Sequence, residues 1–107
     1  MAAPQTSPAR ERIRGTVSKL AEISDKLIYG EVWERPQLSK RDRSLITVAA
    51  LMAMGREAQL EGHIARALQN GVTKDEISEL ITHLAFYSGW PTAMTAALVA
   101  KGVFEKA

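Results

Sequence analysis

His63 and His83 are the side chains of this sequence whose ordinary pKa lies close enough to neutrality for proton transfer at pH 7. Arg56, Gln59 and His63 follow one another at spacings i, i+3 and i+7, which place them on one face of a helix. Leu60 borders that face, so we expect His63 to point toward apolar surroundings. Two interpretations follow: a general acid–base group, or a core histidine with one satisfied hydrogen bond.

His83 lies between Leu80 and Leu84 on one side and Tyr87 on the other. Glu79 precedes it by four residues, a helical spacing at which a carboxylate could orient the imidazole. The alternative is an ion pair on the protein surface. His83 is therefore a second candidate catalytic residue.

Arg43 is a polar position next to a segment, 45–54 (LITVAALMAM), that is nearly all apolar. Arg41 and Thr47 lie within about one helical turn of it. Arg43 is a candidate binding residue, and the alternative is a partly exposed first turn of a helix.

Three of the six aromatic residues, Trp33, Tyr87 and Trp90, stand in connectors or near helix ends. Aromatic side chains at such positions often line pockets or interfaces, although each one alone is more often a packing residue. Together with two histidines and an arginine they suggest a small-molecule cleft.

The 107 residues correspond in length to one domain, with 46% apolar and 24% charged residues. There is no cysteine, which excludes thiol nucleophiles, redox pairs and thiolate metal sites, and two histidines alone do not make a zinc site. The net charge of +2 is not clustered, so we expect no nucleic-acid partner. No apolar run is long enough for a membrane span and no secretory signal is visible, so we expect no membrane association and a cytoplasmic location.

Helical periodicity with clear start and stop residues predicts an all-α fold. Thr73 and Glu76 form a capping box, and Gly30, Gly55 and Gly71 follow predicted helix ends. We predict a single domain over 1–107, with 1–7 as a flexible tail. The five predicted helices span 8–28, 39–54, 56–69, 73–88 and 91–106.

The second and fifth predicted helices are apolar around most of their circumference. A five-helix protomer of this length has room for about one fully enclosed helix. We therefore expect a homo-oligomer in which another chain covers the second one. The alternative is that the small alanines of the fifth helix tolerate exposure.

The sequence resembles the carboxymuconolactone decarboxylase family. The resemblance rests on EVWERPQLS (31–39), RDRSLITVAALMAMGR (41–56) and QLEGHIARALQNGVTKDEISELITHLAFYSGWP (59–91). It implies an all-helical, alkylhydroperoxidase D-like protomer that assembles into a ring as a trimer or hexamer, with sites near subunit contacts.

The family that this sequence resembles includes a branch with thiol peroxidase activity. The signature of that branch is C-x-x-C-x-x-x-H preceded by a glutamate. Aligning His63 with the histidine of that signature puts Arg56 and Gln59 in place of the two cysteines and Ser44 near the glutamate. Peroxide reduction through a disulfide cycle is therefore chemically excluded.

The other branch is a cofactor-free lyase that removes CO2 from γ-carboxymuconolactone in aromatic-compound catabolism. The resemblance implies a lyase, without cofactor or metal, acting on a small lactone or carboxylic acid. We expect His63 as proton donor, Arg43 as carboxylate clamp, and His83 with Tyr87 as oxyanion donors. Trp33 and Trp90 would join Tyr87 in lining the substrate pocket. The alternative is a non-enzymatic helical oligomer that binds a small ligand or supports another protein.

Overall fold

The structure, a computed structural model, describes residues 8–107. The all-α prediction is confirmed, since these residues form helices and turns and no strand. The predicted tail, 1–7, lies outside the described residues. The α-helices are α1 (Pro8–Ile13), α2 (Ser18–Ile23), α3 (Lys40–Ala53), α4 (Glu57–Gln69), α5 (Lys74–Ser88) and α6 (Trp90–Lys106); a π-helix spans Ser24–Ile28 and a 3₁₀-helix Val32–Glu34.

The prediction of one continuous helix over 8–28 is wrong, which raises the number of α-helices from five to six. The chain turns at residues 14–17, where the N–H of Thr16 donates to the carbonyl of Ile13 at 2.9 Å. Gly15 and the β-branched Thr16 and Val17 are weaker helix formers than the residues around them. Three such residues in succession outweigh the apolar periodicity that predicted a single helix.

The remaining helices lie within one or two residues of their predicted bounds. Gly55 and Gly71 have φ values of 71° and 99°, a conformation that favours glycine and ends α3 and α4. The Thr73 hydroxyl accepts the N–H of Glu76, and the Glu76 carboxylate accepts the N–H of Thr73, both at 3.0 Å. The predicted capping box is thus confirmed at the start of α5.

The chain divides into two compact units, one ending at Lys40 and the other running from Arg41 to Ala107. In the first unit, Asp25 forms ion pairs with Arg10 at 2.6 Å and Arg14 at 2.8 Å. Hydrogen bonding to Arg14 lowers the pKa of that carboxylate. The Arg10 guanidinium lies over the Tyr29 ring, 4.0 Å from its centroid.

The second unit contains an apolar core to which α3, α4, α5 and α6 all contribute. Helix α6 packs against both α4 and α5. The fully buried side chains of this core include Val48, Met52, Leu60, Ile64 and Ile77.

Two polar contacts tie the start of α3 to later helices of the second unit. Asn70, at the end of α4, donates its side-chain amide to Ser44 Oγ at 2.9 Å, and Ser44 is completely buried. Arg41 pairs with Glu76 in the first turn of α5. The Thr73 backbone N–H, and after it Arg41, lower the pKa of Glu76.

The predicted burial of the two apolar helices is incomplete within one chain. Ile46 of α3 and Met54, which directly follows α3, are more than half exposed, as are Trp90, Met94 and Leu98 of α6. Within residues 8–107, none of the helices combines the length and hydropathy needed to cross a bilayer.

Candidate functional site

His63 lies in the middle of α4 and is half-buried, with its Nδ1 atom fully enclosed. Leu60 and Ile64, its neighbours on the helix, belong to the core. Burial, and secondly the positive charge of Arg66, lower the pKa of His63 below its ordinary value of 6.5. The expectation that His63 points toward apolar surroundings is consistent with this environment.

Two arginines of the second unit have buried side-chain atoms. Arg66, three residues further along α4, is only 6% exposed. Arg43, in the first turn of α3, is partly buried, and its carbonyl accepts the Thr47 hydroxyl at 2.7 Å. Arg43 Nε and Arg66 Nη1 are buried atoms with no hydrogen bond of their own within the described residues, although both side chains make other interactions.

His83 and Tyr87 are in direct contact on the exposed side of α5. Their ring centroids are 4.9 Å apart with an interplanar angle of 33°, and Tyr87 is 75% exposed. The structure shows this ring contact for His83 and, within the described residues, no hydrogen bond to Glu79.

The two tryptophans of the predicted set occupy different environments. Trp90 opens α6, is 61% exposed and meets Phe86 edge-on with centroids 5.9 Å apart. Trp33 belongs to the first unit, is 8% exposed and stacks on Tyr29 at 5.7 Å. The stacking on Tyr29 is a contact within the first unit, and a role of Trp33 in substrate binding remains a prediction.

Within the predicted set, the contact that the structure establishes directly is that between His83 and Tyr87. The roles assigned to all six residues remain predictions.

The second unit also contains two cavities whose lining residues sequence reasoning did not single out as a site. A groove of about 490 Å³ runs between α5 and α6, with Ile81 and Phe104 among its apolar lining and Lys101 among its polar lining. A smaller cavity of about 270 Å³ is lined by Leu51, Met52, Gly55, Arg56, Glu57, Leu60, Pro91, Thr92, Thr95 and Ala96. The spacing of Arg56 and His63 indicates a shared helical face, but nothing in the sequence connects Arg56 with two threonines more than thirty residues away.

Comparison with known proteins places this arrangement in a family. A model described as the carboxymuconolactone decarboxylase family matches residues 19–102. A 4-carboxymuconolactone decarboxylase of Acinetobacter baylyi is 46% identical over 80 residues, which cover 75% of this chain and 60% of the relative. A nitrosuccinic acid decarboxylase of Metarhizium robertsii is 36% identical over 78 residues, covering 73% of this chain and 54% of the relative.

A third relative, an uncharacterised 15.0 kDa protein of Paracoccus denitrificans, is 32% identical over 80 residues and covers 73% of this chain and 60% of its own length. The matched segments thus span little more than half the length of these curated relatives. The fold is an all-helical protomer with a half-buried histidine as its candidate acid–base group. The chain belongs to the carboxymuconolactone decarboxylase family.

Proposed function

We propose that this protein is a cofactor-independent decarboxylase that acts on a small lactone or carboxylic acid. The observation that carries the proposal is the similarity to two relatives named as decarboxylases, at 46% and 36% identity. The absence of cysteine removes the thiol peroxidase chemistry that the wider family resemblance would otherwise include.

The names of the two relatives suggest a common substrate chemistry. When CO2 leaves, its bonding electrons stay on carbon, and a neighbouring lactone or nitro group can delocalise them onto oxygen. We propose that the substrate of this chain also carries such a group beside the departing carboxylate. The carbanion-like centre then takes up one proton, so each turnover releases one CO2 and consumes one proton.

We assign the proton transfer to His63. Burial lowers the pKa of His63, which favours the neutral imidazole. As a general acid, the imidazole would first take up a proton and then pass it to the substrate carbon. Arg43 would pair with a carboxylate that remains on the substrate, and His83 with Tyr87 would donate hydrogen bonds to the developing oxyanion. Trp33 and Trp90 would complete an apolar wall.

The proposal includes assembly into a trimer or hexamer. Exposed apolar side chains support this assembly, because water contact with so much apolar surface is costly. They include Ile46 on α3, Met54 just after α3, and Met94 and Leu98 on α6. We also propose a role in aromatic-compound catabolism and a cytoplasmic location, on the resemblance and the sequence features given above.

The experiment is a decarboxylation assay with a panel of acids. Purified protein is incubated with γ-carboxymuconolactone, nitrosuccinate and succinate, and CO2 release is measured beside His63→Gln. Release from at least one activated acid, but not from succinate, is the expected result. No release from any activated acid would overturn the proposal for these substrates and favour a non-enzymatic oligomer that binds a small ligand.

A further inference from the structure

The smaller cavity of the second unit combines an apolar floor with a polar rim that contains one arginine, one glutamate and two threonines. Leu51 and Met52 of α3, Leu60 of α4 and Ala96 of α6 supply the apolar surface. Its volume of about 270 Å³ is just below the roughly 300–1,000 Å³ typical of small-molecule sites. A cavity of this size and lining suits a short organic molecule.

The polar lining of this cavity offers hydrogen-bond donors that the protein does not use itself. Arg56 makes no ion pair within the described residues, and the hydroxyls of Thr92 and Thr95 make no hydrogen bond there. A guanidinium and two hydroxyls can together bind a carboxylate, the guanidinium in two-pronged geometry.

Two helix starts contribute residues to the same cavity, Arg56 and Glu57 at the start of α4 and Pro91 and Thr92 at the start of α6. Arg56 is the N-cap of α4 and Gly89 the N-cap of α6, and neither helix start carries a side-chain cap. The first-turn N–H groups of an α-helix have no partner within the helix and favour an anion. The one opposing charge in the lining is Glu57, whose carboxylate weakens the attraction for an anion.

We propose that this cavity binds a carboxylate group of a small dicarboxylic acid, with Arg56 as its counter-charge and Thr92 and Thr95 as hydrogen-bond donors. This inference adds a binding site to the proposed decarboxylase. It rests on the proposed function in one respect, that the bound acid is the substrate. It assigns a binding residue, Arg56, that is different from Arg43, the predicted clamp.

Binding of succinate tests the inference without any catalytic step, because succinate has no group that activates decarboxylation. Equilibrium dialysis with labelled succinate measures the dissociation constant for the parent protein, and unlabelled succinamide is added as an uncharged competitor. We expect saturable binding of about one succinate per chain that succinamide does not displace.

Two variants that remove charges of opposite sign from the cavity lining test where succinate binds. Arg56→Gln should weaken succinate binding by about tenfold or more, because a charge-assisted pair is lost. Glu57→Gln should tighten succinate binding by about two- to fivefold, because the repulsion between the Glu57 carboxylate and the succinate carboxylate is removed. Arg12→Gln is the matched control: it removes the same charge from α1, outside the cavity, and should leave binding unchanged.

Thr95→Val keeps the side-chain shape while removing a donor, and should weaken binding even if Arg56→Gln were poorly folded by circular dichroism. Absence of saturable binding would overturn the inference. So would equal effects of Arg56→Gln and Arg12→Gln, or a loss of binding confined to Arg43→Gln. Succinate binding with the expected variant pattern, together with no CO2 release from activated acids, would support this site and overturn the decarboxylase proposal alone.

Discussion

Asn70 donates a hydrogen bond to Ser44 across a distance of 2.9 Å, and this bond joins the end of α4 to the first turn of α3. Arg43 is the residue before Ser44, and His63 lies about two turns before Asn70 on the same helix. The bond thus helps to fix two helices that each carry a predicted site residue.

Loss of that bond should destabilise the second unit. Asn70→Ala should lower the free energy of unfolding by roughly 1–2 kcal/mol, because the completely buried Ser44 hydroxyl then loses its hydrogen bond from Asn70. Urea denaturation measures the change. Ser78→Ala, at an exposed position of α5, is the control and should stay within about 0.5 kcal/mol of the parent. An equal effect of the two variants would contradict a stabilising role for the Ser44–Asn70 bond.

His63→Gln should reduce decarboxylation by on the order of 10²-fold, because glutamine retains hydrogen bonding and much of the volume but cannot cycle a proton. His83→Gln is the comparison: glutamine still donates a hydrogen bond, so the loss should be smaller. Rates per folded molecule, with melting temperatures alongside, distinguish these effects. A structural His63 would show the opposite pattern, a stability loss of roughly 1–3 kcal/mol with activity little changed.

Stability should decrease in mildly acidic solution because of His63. Its pKa is lower in the folded protein than the ordinary 6.5, so the unfolded chain binds the proton more readily. The stability associated with neutral His63 is fully present above about pH 6.5 and is lost as the pH falls toward the folded-state pKa. Between pH 7.5 and 5, the melting temperature should therefore fall more steeply with decreasing pH for the parent than for His63→Gln. Parallel curves would show that His63 does not contribute to the acid sensitivity.

The exposed apolar face of α6 should be covered in the assembled protein. Leu98 is 67% exposed in the single chain, and Leu98→Lys would place a charge in an interface there. Sedimentation should show a trimer or hexamer for the parent and smaller species for this variant. Gln69→Lys, at an exposed polar position of α4, serves as the control and should assemble normally. A parent protein that sediments as a monomer at micromolar concentration would refute the oligomer proposal.

Local sequence signals determined the four helices of the second unit. The capping box at Thr73 and Glu76 and the glycines at 55 and 71 act through neighbouring backbone atoms, so sequence alone is sufficient to place them. The first predicted helix failed because apolar periodicity and the weak helix propensity of residues 15–17 point in different directions. Periodicity alone does not decide which of the two prevails.

Tertiary packing decided the candidate sites. The spacing of Arg56 and His63 predicted a shared helical face, but only the structure shows that His63 is half-buried near the Arg66 charge. It also places Arg56 beside Thr92 and Thr95 in one cavity. Residues on one helix are related by a fixed rise and rotation that the sequence reveals. Residues on different helices meet through the summed packing of many side chains, which no local pattern encodes.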